Sequence, residues 1–263
     1  MDLCIAGKVA LVAASSQGLG KAVAFGLANE GAKVVICARG KENLDKTKEE
    51  IQTKTHAQIL AIQADLTNYD NIKQLVAKTI DQFGTIHILV NNAGGPPTGF
   101  FGEMNDDNWQ KGVELTLMSS VRLTREALPC MRKQKWGRII NITSVSVKQP
   151  INELLLSNSL RLAVLGWAKT LANQTAQEGI LINNFCPGWT RTDRVFELVH
   201  SRANSEGKSP QEIDRAITSG IPMGRMGKPE ELANLVVFLA SERASYITGT
   251  TIQVDGGAVK GIF

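Results

Sequence analysis

The sequence predicts an α/β protein: a single domain built on a doubly wound parallel sheet of seven strands. Three observations carry this. Short β-branched runs recur along the chain and alternate with stretches whose apolar residues fall at helical spacing. The first such run ends in small residues and glycines that open a helix, at Ala13-Ala14-Ser15-Ser16-Gln17-Gly18-Leu19-Gly20. With 263 residues and 43% hydrophobic content, the chain can bury a sizeable core, and it contains no repeat, low-complexity tract or inter-domain linker. Strands alternating with helices imply parallel pairing, and right-handed crossovers then place helices on both faces of the sheet.

The elements follow in order. Residues 8–14 form an apolar first strand, and after the glycine turn Val23 and Leu27 mark the first helix. Residues 33–38 are a second strand before a charged helix over 41–54, and 58–63 precede a helix over 68–83. A fourth buried strand covers 86–90; Asn91-Asn92-Ala93-Gly94-Gly95-Pro96-Pro97 is then a loop by composition. One long helix is predicted over 106–135, a fifth strand over 138–142 and another helix over 153–177. The sixth strand, 181–185, is expected to stop at Cys186-Pro187-Gly188, because proline cannot donate to a central ladder. A seventh strand, 251–254, closes the sheet. Between Thr192 and Pro229 the chain is more polar and is broken by Gly207, Pro210, Gly220 and Pro222, which suits a helical substrate lid over 193–228 rather than core.

Composition narrows the function. The formal charge is +4, yet cations and anions are interspersed, so no clustered phosphate-binding surface for nucleic acid is indicated. Cys4, Cys37, Cys130 and Cys186 are far apart, with no C-x-x-C pair and no neighbouring histidines, which supports neither a disulfide framework nor a metal site. The opening Met1-Asp2-Leu3-Cys4 does not resemble a secretory signal, and no apolar run approaches the roughly 18 residues of a membrane span, so a cytoplasmic location is expected.

Backbone N–H groups exposed where a helix begins can hold a pyrophosphate, and glycines permit its close approach. The turn over 13–20 has the required strand-turn-helix setting, which marks the unit as Rossmann-type. NAD-binding proteins of this kind place a carboxylate after the second strand to receive the ribose hydroxyls, whereas an arginine there pairs with a 2′-phosphate. Here Cys37-Ala38-Arg39 supplies the arginine, so NADP(H) is expected over NAD(H).

Over nearly its whole length the chain resembles the short-chain dehydrogenase/reductase family, and in particular its 3-oxoacyl-acyl carrier protein reductase-like branch. The family's T-G-x-x-x-G-x-G falls on residues 13–20 with alanine at both leading positions, and N-N-A-G is intact at 91–94. The stretches Ile221-Pro222-Met223-Gly224-Arg225-Met226-Gly227-Lys228-Pro229-Glu230-Glu231 and Val254-Asp255-Gly256-Gly257 look like its closing signatures. The resemblance implies cofactor contacts at Ser15, Ser16, Gln17, Gly18, Leu19, Gly20, Arg39, Asp65, Leu66, Asn92, Ala93, Gly94, Arg161, Pro187, Gly188 and Thr192. It also implies a homotetramer or homodimer, with the long helices and residues 254–263 at interfaces.

The family's catalytic tetrad is asparagine, serine, tyrosine and lysine. Aligned from the flanking motifs, those positions are Thr116, Ser144, Ser157 and Arg161, so the serine alone is retained. In the family the tyrosine donates a proton to the carbonyl oxygen and the lysine lowers its pKa. Serine is a poorer and shorter acid, and arginine presents a fixed planar cation. Neither Tyr69 nor Tyr246 lies near this motif in sequence, while Lys148 and Glu153, in the preceding loop, are alternative proton donors. The expected activity is therefore interconversion of a carbonyl and a secondary alcohol at Ser144, Ser157 and Arg161, with an altered proton path. The second reading is a nucleotide-binding sensor or assembly subunit without redox turnover. Phe196, Leu198 and Val199 hint at an apolar substrate but suit core packing equally well.

Overall fold

The computed structural model describes residues 2–262. Seven strands, β1 (Val9–Val12), β2 (Lys33–Ala38), β3 (Ile59–Gln63), β4 (Ile88–Asn91), β5 (Gly137–Ile142), β6 (Ile180–Pro187) and β7 (Thr251–Val254), form one sheet in the order β3-β2-β1-β4-β5-β6-β7. All six pairings are parallel. The order reverses between β1 and β4, and a ligand crevice forms outside their carboxyl ends, where the connections from the two neighbouring strands lead away to opposite sides.

Because both faces are covered, the central strands carry unbroken runs of buried residues. On one face α1 (Gly18–Asn29), α2 (Lys41–Thr55) and α9 (Pro229–Leu239) pack Val23, Leu27, Leu44, Ile51, Val236 and Leu239 on the sheet. The other face receives Ile72 and Leu75 of α3 (Tyr69–Phe83), Leu123 and Met131 of α5 (Ser119–Gln134), and Ala168 and Ala172 of α6 (Leu155–Thr175).

Three expectations are corrected and one element is added. β6 continues through Pro187, which pairs with Val254. The N–H groups of Asn184 and Gly188 bond to Thr250 and Val254 on the β7 side, so by alternation the donor that Pro187 lacks would face β5, which has already ended at Ile142. The predicted long helix is three segments: α4 (Asp106–Gly112), a π-helical stretch over Val113–Met118, and α5. Third, Val199, Ala203, Ile213, Ile217, Ile221 and Met226 form a small apolar core of their own between 192 and 229, around α7 (Asp193–Glu206) and α8 (Pro210–Ser219). Val199 belongs to that core, whereas Phe196 is 66% exposed. Finally, α9 had no counterpart in the sequence reading, although Pro229 in its first turn and Glu231 accepting from the Lys228 N–H are a start signal. Among the described residues no helix is long and apolar enough to cross a membrane.

Candidate active site

The turn after β1 is held from behind. Ser15 Oγ donates to Val12 O at 2.7 Å and accepts from the Cys37 N–H, while Thr47 Oγ1 of α2 donates to Ser16 O at 2.7 Å. Ser15 is therefore fully buried and faces away from the cleft that Ser16, Gln17, Gly18, Leu19 and Gly20 line. A Cβ on Gly20 would lie 2.5 Å from Ala14 O and 2.7 Å from Asn92 Nδ2, so the helix start stays bare and close to β4. Asn92 fastens that approach by donating to Ala13 O and Ala14 O. Ala14 itself has φ +46°, the left-handed conformation at the position where the family has glycine.

The cleft runs from this turn along the carboxyl ends of the strands and encloses about 540 Å³, within the range of cofactor sites. At one end are Arg39, Asp65 and Leu66. Arg39 is exposed, and no hydrogen bond or ion pair occupies its guanidinium among the described residues; its backbone carbonyl accepts from Gln63 Nε2. Asp65 is occupied with its own turn, accepting from the N–H and hydroxyl of Thr67. Asn92, Ala93 and Gly94 form the middle wall, facing Pro187, Gly188 and Thr192. Thr192 caps α7 through Val195 N–H, and its methyl lies 3.6 Å from where a Gly18 Cβ would stand.

At the other end Ser144, Ser157 and Arg161 line the same cleft. Ser144 follows β5 and accepts from Ser146 N–H at 3.1 Å. Ser157 and Arg161 are one turn apart on α6, and Arg161 Nε donates to Ser157 Oγ at 3.2 Å while its Nη1 donates to Ile142 O at 2.9 Å. Ser146, which the sequence reading passed over, is buried beneath them with its hydroxyl 3.3 Å from Ser157 Oγ. Burial pushes the Arg161 pKa down to about 10, with nearby Cys186 opposing the shift and the charge of Arg194 adding to it, so the guanidinium remains protonated at neutral pH. Arg194, also passed over, lines the cleft from the first turn of α7 and donates to Pro96 O at 3.3 Å.

The remaining candidates lie elsewhere. Thr116 is buried within the π-helical stretch, and its hydroxyl meets no partner among the described residues. Lys148 and Glu153 do not line the cleft; Glu153 lies 3.7 Å from Arg202 of α7. Tyr69 donates its hydroxyl to Glu126, and Tyr246 is fully exposed, so neither phenol reaches the site.

A doubly wound sheet with a glycine turn opening onto its crevice defines a dinucleotide-binding α/β protein. Comparison narrows the class. The family described as enoyl-(acyl carrier protein) reductase matches residues 13–259. The 3-oxoacyl-[acyl-carrier-protein] reductase FabG of Aquifex aeolicus is 34% identical, with 98% of this chain and 99% of that protein covered. The NADPH-dependent reductase BacG of Bacillus subtilis is 32% identical over 97% of this chain and 99% of its own length. Among solved structures, L-sorbose reductase from Gluconobacter frateurii complexed with NADPH and L-sorbose superposes with a TM-score of 0.95 at 34% identity, covering both chains fully. The chain belongs to the short-chain dehydrogenase/reductase family, in its 3-oxoacyl-acyl carrier protein reductase-like branch.

Proposed function

We propose that the protein is an NADP(H)-dependent oxidoreductase interconverting a carbonyl and a secondary alcohol, with a proton-transfer site built from Ser144, Ser157 and Arg161. The observation that carries this reading is the meeting of those three side chains with the glycine turn and the Asn92–Gly94 wall in one continuous cleft. The residues fit the cofactor: Ser16 to Gly20 line the cleft where the first N–H groups of α1 open, Gly20 lets that helix start pack against Ala14 and Asn92, and Arg39 offers a free guanidinium for a 2′-phosphate. NADPH-dependent relatives support the same choice. Ser16 to Gly20, Asp65, Leu66, Asn92, Ala93, Gly94, Pro187, Gly188 and Thr192 surround it, and Ser15 acts from behind by fixing the turn.

When bound, the cofactor supplies the hydride. The protein's task is to orient the carbonyl and stabilise the charge that grows on its oxygen. Because Arg161 Nε occupies a lone pair of Ser157 Oγ, the Ser157 proton is free to point to Ser146 or into the cleft. Ser144 donates a second hydrogen bond to the carbonyl oxygen, and Arg161 holds a permanent cation behind both. Serine and arginine are weak acids, so this arrangement stabilises an alkoxide better than it protonates one, and solvent completes the proton transfer.

Residues 193–228 act as the lid over the substrate end. The protein works in the cytoplasm as a homotetramer or homodimer, joined through 110–135, 153–177 and 254–263; of these, residue 263 lies outside the described residues. Calorimetry with NADPH and NADH, followed by NADPH oxidation across a panel of ketones, tests the activity. Tight NADPH binding and turnover of at least one ketone are expected; tight binding without turnover of any would favour the sensor reading.

A further inference from the structure

Arg161 is half-buried, and both of its hydrogen-bond acceptors, Ser157 Oγ and Ile142 O, are neutral. Among the described residues no carboxylate comes within ion-pair distance of it. A partly desolvated cation facing only neutral oxygens is an unfavourable arrangement that an anion can relieve. A second cation stands at the same end of the cleft. Arg194 reaches from α7 across the loop after β4, with Nε and Nη2 2.9 Å from where a Gly95 side chain would begin. Any larger residue at 95 would displace this guanidinium. Its charge is felt at Arg161, where it adds to the downward pKa shift.

The acids nearby leave this field largely in place. Glu197 lies 3.6 Å from Arg194 but is 66% exposed, and such a pair contributes little. Asp193 also lines the cleft, in the first turn of α7, and among the described residues it forms no ion pair with Arg194 or Arg161. The cleft that holds the two guanidiniums is also lined by the apolar residues Pro97, Val145, Ile151, Leu154, Trp189 and Leu198.

Resting on the reductase reading, we infer that the substrate is an oxo acid with an apolar body, whose carboxylate is received by Arg194 while its carbonyl meets Ser144 and Ser157. A planar guanidinium binds a carboxylate through two parallel hydrogen bonds, and the apolar lining of the cleft receives the rest of the substrate. A neutral ketone would fill the walls but leave Arg194 to the Pro96 carbonyl, water and its exposed pair with Glu197. Arg194 is thus a specificity-determining residue, separate from the groups that act on the carbonyl.

The test compares 3-oxooctanoate with its methyl ester as substrates, and titrates phenylacetate and methyl phenylacetate into the protein with and without saturating NADP⁺. The acid is expected to exceed the ester ~10- to 100-fold in kcat/KM, as for a hydrogen-bonded charge pair. Arg194→Gln should bring that ratio close to one, and Arg194→Lys should keep part of it. Phenylacetate should bind more tightly than its ester, with the difference reduced in Arg194→Gln. Equal use of acid and ester, or an Arg194→Gln variant that loses NADPH affinity while keeping the acid preference, would overturn the inference. If phenylacetate binds through Arg194 but no ketone is turned over, the anion site stands and the reductase reading fails.

Discussion

Arg161 Nε lies 3.2 Å from Ser157 Oγ, one turn along α6, and the same guanidinium reaches the Ile142 carbonyl at the end of β5. A single fixed fork thus joins the helix to the strand that delivers Ser144. Arg161→Met removes both the join and the cation, and kcat should fall by about 10²–10³, as when one oxyanion donor is lost. Arg161→Lys should recover little of this, because an ammonium on a flexible stem does not reproduce two divergent planar contacts. Steady-state kinetics with saturating NADPH measures both.

Arg39 stands apart from the chemistry, at the opposite end of the cleft. Replacing it by alanine should lower kcat/KM for NADPH ~10- to 100-fold, the effect of a lost charge-assisted hydrogen bond, and leave NADH nearly unaffected. The NADPH:NADH preference is the measurement, and an unchanged ratio would remove Arg39 from the 2′-phosphate site.

The sheet and the cofactor end were legible because they rest on local rules: buried β-branched runs, a glycine turn between strand and helix, and the residue type after the second strand. The substrate end was less so. Ser157 and Arg161 followed from the resemblance, aligned from the flanking motifs, with their spacing placing both on one face of a helix, but Ser146 and Arg194 enter the site through the turn after β5 and through the packing of α7 against the loop at Pro96, which no periodicity reports. The interruption at Val113–Met118 was invisible for a similar reason, since a π-helical stretch preserves the apolar spacing on either side. Pro187 was misread because its effect depends on which neighbour its missing donor faces.

Ala14 adopts φ +46°, a conformation that costs a residue with a Cβ roughly 1–2 kcal/mol. Glycine removes that strain but loses about 0.5–1 kcal/mol through the entropy of the unfolded chain. Ala14→Gly should therefore stabilise the fold by roughly 0.5 kcal/mol, read as a higher urea midpoint at unchanged slope. Gly20→Ala should do the reverse, since its Cβ would lie 2.5 Å from Ala14 O, and NADPH affinity should fall with it.

Asn91, Asn141 and Asn184 stand in register on β4, β5 and β6 and form a buried ladder. Asn91 Nδ2 donates to Asn141 Oδ1 at 2.8 Å, and Asn141 Nδ2 to Asn184 Oδ1 at 3.0 Å. This ladder ties together the strand ends from which Asn92, Ser144 and Pro187 emerge. Asn141→Ala strips a partner from both neighbours and opens a cavity, so a loss of about 3–5 kcal/mol is expected in chemical denaturation. Asn91 keeps Thr124 Oγ1 as a second acceptor, and most of the penalty therefore falls on Asn184.

His87 lies far from the site, between β1 and β5, with Nδ1 accepting from the Val9 N–H at 3.0 Å. That bond needs a neutral imidazole. Burial, followed by the charge of Lys8, pushes its pKa down from 6.5 to about 4. Because the folded value lies below the unfolded one, the fold binds fewer protons, and stability rises with pH wherever the unfolded chain is still protonated. The contribution is complete above pH 6.5 and is lost progressively between 6.5 and about 4, below which both states carry the proton. His87→Gln can accept the same hydrogen bond without titrating. Its stability curve should accordingly be flatter than the wild type's between those pH values, by no more than the slope of one proton, and parallel to it above pH 7. Urea midpoints collected from pH 4 to 8 measure the difference, and identical slopes would show that His87 titrates alike in both states.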